Sequence, residues 1–447
     1  MPFRFGVATL TEAPQAFVRV RIRMENGRQA EGGAAELLAP KWFDKNPALT
    51  NEQNFDQLRA ALAIARDAYL AAGESTAFGH FIDAYAPQIG ACAARGLNSL
   101  VACFGPALID RAALDALCRG LGISFYEALR RNVPGIGTHS GQDELHAFDM
   151  DGFLAVLEPR QAIAARHTVG LVDPISRSEK KLDDGLPESL DEVLERYGQR
   201  WFKLKVAGEL AADIERLSAI ASVLERIDEP YHVTLDGNEQ FTDVEGILNL
   251  WKRLAEEARL KRLAASIVFI EQPIKRGAAA TQDVSALARE KPLIIDESDD
   301  SLEAFARARR LGYAGVSSKT CKGIYKSLLN AARCRLWNGD EGRNRCFMSG
   351  EDLTVQAGLA LQQDLALVSI LGLTHVERNG HHYVNGMAGL PQAEQHAFLR
   401  SHDDLYEHSH GAVRVRIANG ELQLRSLGAR GYASAVLPDW GAMRQTG

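Results

Sequence analysis

Trp201-Phe-Lys-Leu-Lys-Val206, His232-Val-Thr-Leu-Asp-Gly-Asn238, Ser266-Ile-Val-Phe-Ile-Glu-Gln-Pro273, Leu293-Ile-Ile-Asp-Glu-Ser298 and Val316-Ser-Ser-Lys-Thr-Cys-Lys322 are five short apolar runs, each ending in charge. A strand covered on both faces has no room for a carboxylate or ammonium in its middle, so charges gather where loops and solvent begin. Here they gather at the C-terminal ends. Between the runs, Leu210, Ile214, Leu217, Ile220, Ala221, Leu224 and Ile227 recur at helical spacing, and Leu302, Phe305, Ala306 and 308–311 do so more briefly. Alternating strands and helices with right-handed crossovers give a parallel sheet. With this many repeats the closed form is a barrel whose working face is the C-terminal ends of its strands.

Outward from this stretch the alternation starts at Thr168-Val-Gly-Leu-Val172, the expected first strand, and continues to expected strands seven and eight at Arg345–Ser349 and Leu373–Arg378. Residues 1–132 follow a different pattern. Gln15–Met24 and Arg28–Glu36 alternate in part around Glu25-Asn-Gly27, a hairpin signal. Alanine- and leucine-rich helical patterns follow at Asn54–Ala72, Phe81–Ala93 and Leu108–Leu121. This is an α+β unit, with the glycine-rich stretch Gly32–Trp42 as a candidate lid or a plain solvent loop. Residues 133–166 read as linker and insertion, 167–390 as the barrel, and 391–447 as a tail. In that tail Ala412–Ile417 and Glu421–Arg425 flank Asn419-Gly420, and a closed barrel cannot take more strands, so the tail is expected to return to the cap.

Composition narrows the function. The 447 residues, 46% hydrophobic and 24% charged, can bury a large core. A net charge of −7 and a pI near 6.0 disfavour nucleic acid or an anionic membrane as partner and favour a small molecule. The first residues lack the apolar core of a secretion signal, and the apolar run 358–373 is interrupted by Gln362, Gln363 and Asp364, as in a core helix. The six cysteines show no CxxC spacing, which fits reduced thiols and a cytoplasmic location. Assembly as a homo-oligomer is a further expectation.

Asp236, Glu271 and Asp296 end three successive strands and are neighbours in one barrel mouth. Clustered carboxylates raise one another's pKa unless a cation sits among them. Oxygen-only donors point to Mg²⁺, with Mn²⁺ as the other choice. Strands two and six lie half a circumference apart, so Lys205 and Lys319 face each other across that mouth. One amine can then remove the α-proton of a carboxylate and the other return it on the opposite face. Lys203 beside Lys205, and Lys322 beside Lys319, are expected to lower the basicity of the working pair. Singly, a Lys-x-Lys is most often a solvated edge and an Asp-Gly-Asn a turn. The spacing joins them: steps of 31, 35, 25 and 23 residues lead from Lys205 to Asp236, Glu271, Asp296 and Lys319, each about one βα unit.

On Lys203-Leu-Lys205, Asp236-Gly-Asn238, Glu271-Gln-Pro273, Asp296-Glu-Ser298 and Lys319-Thr-Cys-Lys322 the chain resembles the enolase superfamily, in its muconate lactonizing enzyme subgroup. Residues 109–129 are similar to the family's last cap helix. The resemblance implies a modified (β/α)₇β TIM barrel under an α+β cap, Mg²⁺ on Asp236, Glu271 and Asp296, an acid/base pair of Lys205 and Lys319, and supporting roles for Lys203 and Asn238. It implies an isomerase acting as racemase, epimerase or cycloisomerase through a metal-stabilised enediolate. The alternatives are a β-elimination lyase of the same family and, more distantly, a Schiff-base aldolase or a non-catalytic binding barrel. Dipeptide epimerases of the subgroup carry Asp-x-Asp at strand eight, where this chain has Glu377-Arg-Asn379, and dehydratase relatives use a late histidine that 345–352 lacks. Glu351, Asp352, Glu377 and Arg378 are the specificity candidates, with helix capping a competing role for Glu351 and Asp352. His381, His382 and Tyr383 could line the mouth or simply pack beneath the tail.

Overall fold

The computed structural model describes residues 3–5, 8–138, 143–177 and 184–443. The cap opens with a short pair, β1 (Phe3–Phe5) and β2 (Ala8–Leu10), followed by the hairpin of β3 (Gln15–Arg23) and β4 (Gln29–Leu37). Three helices follow: α1 (Asn51–Ala71), α2 (Ala77–Ala93) and α3 (Ser99–Leu121). They begin earlier than the apolar periodicity indicates because the starts are set by side-chain caps. Thr50 caps α1 with Gln53 returning the bond, Thr76 caps α2, and Asn98 caps α3. Helix α3 is buried along most of its length and runs directly beneath the hairpin. Gly32 makes that approach possible, since a Cβ there would stand 2.2 Å from the Ala116 amide nitrogen. Gly32–Leu37 is therefore packed strand. The lid reading fails for it because its glycines serve close packing.

Eight parallel strands close the barrel: β5 (Ala162–Val169), β6 (Trp201–Lys205), β7 (His232–Asp236), β8 (Ile267–Glu271), β9 (Leu293–Ile295), β10 (Gly315–Ser318), β11 (Phe347–Gly350) and β12 (His375–Arg378). Closure is the pairing of β12 with β5, Glu377 beside Arg166. The first strand thus starts six residues before the expected Thr168 and lies partly in the stretch read as linker. That stretch also holds the helix Met150–Ala155, while its residues 139–142 lie outside the described residues. The apolar reading passed over Ala162–Val169 because Arg166 and His167 interrupt it. Both are buried and paired inside the fold.

The tail forms β13 (Tyr406–Ser409), β14 (Ala412–Val415) and β15 (Glu421–Gln423). Asn419-Gly420 makes the expected tight turn, with Ala418 and Glu421 paired across it, but it does not join β14 to β15 as a hairpin. Instead β14 pairs with β13, and β15 adds antiparallel to β5. The closed barrel accepts it because β5 extends below the register it shares with β6. Beyond β15 the tail does reach the cap: the Phe125 and Tyr432 rings stack at 3.9 Å, and the Tyr432 amide donates to Asp115 at 2.6 Å. Apolar residues of cap, tail and the helices 324–341 and 359–370 form one core, and the barrel helices around 190–337 form a second. Helix Leu359–Ile370 is buried at every position, and no helix among the described residues is long and apolar enough to cross a membrane. The described cysteines are free.

Candidate active site

The loops that carry the motifs are stapled to one another before any ligand is considered. Gly237 passes so near Pro273 that a Cβ would meet its Cα at 2.5 Å, and the Gly237 amide donates to the Glu271 carbonyl at 2.9 Å. Gln272 then joins the next loop: its Oε1 accepts from the Asp296 and Ser298 amides at 2.9 and 3.1 Å, and its Nε2 donates to Ser298 Oγ at 2.8 Å. Asn238, in the left-handed region at φ 43°, donates its amide to Asp236 Oδ1 at 2.7 Å and its side chain to Glu297 at 2.9 Å. The glycine, asparagine, glutamine and serine of these motifs hold the carboxylates in place.

Parallel register sets Lys205 beside Asp236 and Asp236 beside Glu271. A cavity opens above them, lined on its polar side by Lys203, Lys205, Asp236, Asn238, Asp296 and Lys319. The cap supplies an apolar side of Leu10, Leu37, Ala39 and Trp42. Lys205 and Lys319 reach the cavity from β6 and from the end of β10, with β7, β8 and β9 between them. Lys205 lies 2.6 Å from Asp236 and Lys319 lies 2.7 Å from Asp296. Lys203 sits deeper, within 3.1 Å of Asp236, Glu271, Glu351 and Glu377. Lys322 lies on the far side of Asp296, bonded to Ser317 and ion-paired with Asp299 at 3.1 Å, so it faces away from the cavity.

These partners decide the charges. Burial would lower the Lys319 ammonium, yet Asp296, helped by Glu377 and Glu271, raises it above the ordinary lysine range. The expected depression of its pKa by a neighbouring lysine is overridden here, because a carboxylate at contact distance outweighs a more distant cation. Burial is opposed at Asp236 by Lys203 and Lys205 and at Asp296 by Lys319 and Lys322, and both carboxyls end below their usual range. Glu271 differs. Burial and the neighbouring Asp236 and Glu351 push it well above that range.

A divalent cation fits the donor chemistry: three carboxylates at adjacent strand ends, one of them short of positive charge. Among the described residues no three acidic, histidine or cysteine side chains already enclose a common point. The carboxylates are shared out among the lysines instead.

The specificity candidates separate by strand alternation. Glu377, Asn379 and Asp352 line the cavity. Both oxygens of Glu377 are filled, Oε1 by Thr168 and Asn379 and Oε2 by Lys203 and the Asp352 amide, which leaves no lone pair for a substrate ammonium. Arg378 points out of the barrel toward Asp352 and Asp364, and Glu351 is locked below by Arg166 and Lys203. Neither Glu351 nor Asp352 caps a helix, since the following helix begins only at Leu359 behind Gly358. His381 and His382 turn to His167 and not to the mouth.

Sequence reading passed over several contributors. Trp42 lays its ring 4.2 Å from the Lys319 ammonium. Its loop is pinned to the mouth by Lys45, on Glu239 and Glu297 at 2.8 and 2.9 Å, and by Arg276, which donates to the Trp42 and Phe43 carbonyls. Against burial, Arg276 and Lys45 hold Glu239 down at about 2. Only the isolated aromatic at 42 was a visible signal. Lys45, Arg166 and Arg276 stand in stretches with no motif.

A cap over a closed parallel barrel with its polar residues at the strand C-terminal ends is the architecture of the TIM-barrel enzymes. The sequence profile described as Enolase C-terminal domain-like matches residues 185–427, more than half of the chain. The chain belongs to the enolase superfamily and is mandelate racemase/muconate lactonizing enzyme-like. Its fold is similar to that of a Sorangium cellulosum protein described as a mandelate racemase/muconate lactonizing enzyme, at 19% identity and TM-score 0.57 over 98% of this chain and 95% of that one. Muconate lactonizing enzyme from Pseudomonas putida aligns at 16% identity and TM-score 0.55 over 96% and 95%. A 2-chloromuconate cycloisomerase from Rhodococcus opacus aligns at 17% and 0.52 over 94% and 91%. No curated protein matches the sequence.

Proposed function

We propose that this chain is a Mg²⁺-dependent isomerase that removes and returns the α-proton of a small carboxylate, with Lys205 and Lys319 as the acid/base pair. The observation that carries the reading is the pair itself: two ammonium groups enter one cavity from opposite sides, with the ends of three carboxylate-bearing strands between them. Asp236, Glu271 and Asp296 would hold the ion. When bound, it supplies positive charge against the negative charge that develops as a carbon acid gives up its proton.

The chain's own residues do the rest. Lys203 and Asn238 keep the carboxylates at the strand ends, and the cap excludes water over the reacting carbon with Leu10, Leu37, Ala39 and Trp42. As Lys319 is now held charged by Asp296, it acts as a base only once that carboxylate is engaged elsewhere. Two opposed amines suit proton return without loss of a group, which favours racemisation, epimerisation or cycloisomerisation over elimination. The apolar cap wall and the saturated Glu377 favour a substrate whose remainder is apolar and lacks a free amine.

The test is hydrogen exchange at the α-carbon in D₂O with Mg²⁺, over a pool of N-acyl amino acids, lactones, sugar acids and dipeptides followed by mass spectrometry. A gain of one deuterium in an apolar member, abolished by EDTA and by Lys319→Ala, is expected. Exchange that persists in EDTA, or in the double variant Lys205→Ala/Lys319→Ala, would refute the reading.

A further inference from the structure

A second pocket, partly open to solvent, lies outside the barrel mouth between the helix Leu190–Tyr197, the turn 380–383 that follows β12, and the β13–β14 hairpin of the tail. Most of its wall is apolar, including Val355, Leu361, Val384 and Ile417. Into this wall project groups whose bonding is incomplete. Arg414 is 7% exposed and, among the described residues, donates to the Ser409 carbonyl and the Asn385 side chain. No carboxylate among the described residues stands within ion-pair distance of it, and Asp184 acts on it only from further away.

A buried guanidinium without a counter-charge is costly and calls for an anion. His381 presents a second group. Its Nε2 faces His167 at 3.0 Å, while its Nδ1 is buried with no partner. Arg378 Nε is likewise buried and unpartnered on the same wall. The Tyr197 ring packs edge-on against His381 at 5.1 Å. Glu407, the cross-strand neighbour of Arg414 on β13, lies 3.9 Å from Arg196 at the rim, so among the described residues Arg414 is a cation of this wall with no ion pair of its own.

We propose that this cavity is a binding site, separate from the barrel mouth, for a small monocarboxylate with an apolar body, its carboxylate on Arg414 and its hydrocarbon against Val355, Leu361 and Val384. Guanidinium and carboxylate match as a planar pair, and a mostly apolar lining disfavours a multiply charged phosphate. His381 Nδ1 and Arg378 Nε offer the remaining hydrogen bonds to the same head group. Arg378 also pairs with Asp352, which lines the barrel mouth, so one ion pair connects the walls of the two cavities.

Calorimetric titration of the full chain with hexanoate tests this, with hexanol and hexylamine as the neutral and cationic probes. Saturable binding of hexanoate is expected in the wild type and, unchanged, in Lys319→Ala, which separates this site from the barrel mouth. Arg414→Gln keeps a donor toward Ser409 and Asn385 while removing the charge, and at least a tenfold loss of affinity is expected. His381→Phe, which fills the same space, is expected to weaken binding severalfold and serves if Arg414→Gln does not fold. Absence of hexanoate binding, equal affinity for hexanol, or loss of binding in Lys319→Ala alone would each overturn the proposal, as would unchanged affinity in whichever of the two cavity variants folds.

Discussion

Lys203 is the residue on which the barrel interior turns. One buried ammonium faces four carboxylates, and although burial opposes its charge, Asp236, Glu271, Glu351 and Glu377 hold its pKa well above the ordinary value. Removing it leaves those four acids buried with no cation at their centre. Breaking a buried ion pair by deleting one partner costs about 3–5 kcal/mol. Lys203→Met is therefore expected to lower the stability to urea by about that amount or to prevent folding, whereas Lys205→Met, at the cavity edge, leaves the midpoint near that of the wild type. Equal midpoints for wild type and Lys203→Met would show that the acids are neutralised by other means. The position of Lys203 was legible in the sequence, since a charge two residues before a strand end shares the face of the one at the end. Its partners Glu351 and Glu377 were not, because nothing in a sequence tells which strand-end acids point at a common cation and which turn outward like Arg378.

At the scale of elements, β6 to β10 were legible as short runs that end in charge, and β11 and β12 lie where strands seven and eight were expected. The first strand was missed by six residues. Its Arg166 finds its partners 183 to 209 positions away, at Ser349, Gly350, Glu351 and His375, and no local pattern reports such partners. The cap loop was misread for the opposite reason. Gly32 and Gly33 read as freedom, but Gly32 is what lets a helix run under the hairpin, and Gly33 lies against the Trp440 ring. Gly32→Ala would drive a methyl into the backbone of α3 at Ala112 and Ala116. Overpacking of this kind costs about 1–3 kcal/mol. Because β4 leads directly into the loop carrying Trp42, the same substitution is expected to raise KM for any substrate of the barrel mouth more than it lowers kcat. A variant with unchanged urea midpoint and unchanged KM would mean that α3 yields without moving the loop.

At the scale of the whole molecule, the tail ties barrel to cap, and one histidine controls a joint of that tie. His402, fully buried at the end of the helix Gln392–Ser401, accepts the Ala435 amide on Nε2 at 3.1 Å. Its other nitrogen faces Ser426 Oγ at 3.0 Å and must carry the ring's single proton. A second proton would set N–H against N–H at Ala435, next to Ser434, whose carbonyl receives Arg119 of α3. Burial, against Asp404 and Asp403, lowers the pKa of His402 from 6.5 to about 4. The folded state thus binds fewer protons than the unfolded chain between those values, so stability rises with pH across the window and is lost as pH falls from about 6.5 through 4. His402→Gln keeps an acceptor for Ala435 and cannot titrate. The stability difference between wild type and His402→Gln is expected to shift by about 2–3 kcal/mol against the wild type between pH 7 and pH 4. Urea unfolding at a series of pH values measures it, and comparison with the variant cancels the titration of every other group. Parallel pH curves for the two proteins would show that His402 keeps its unfolded-state pKa in the fold and that acid does not act at this joint.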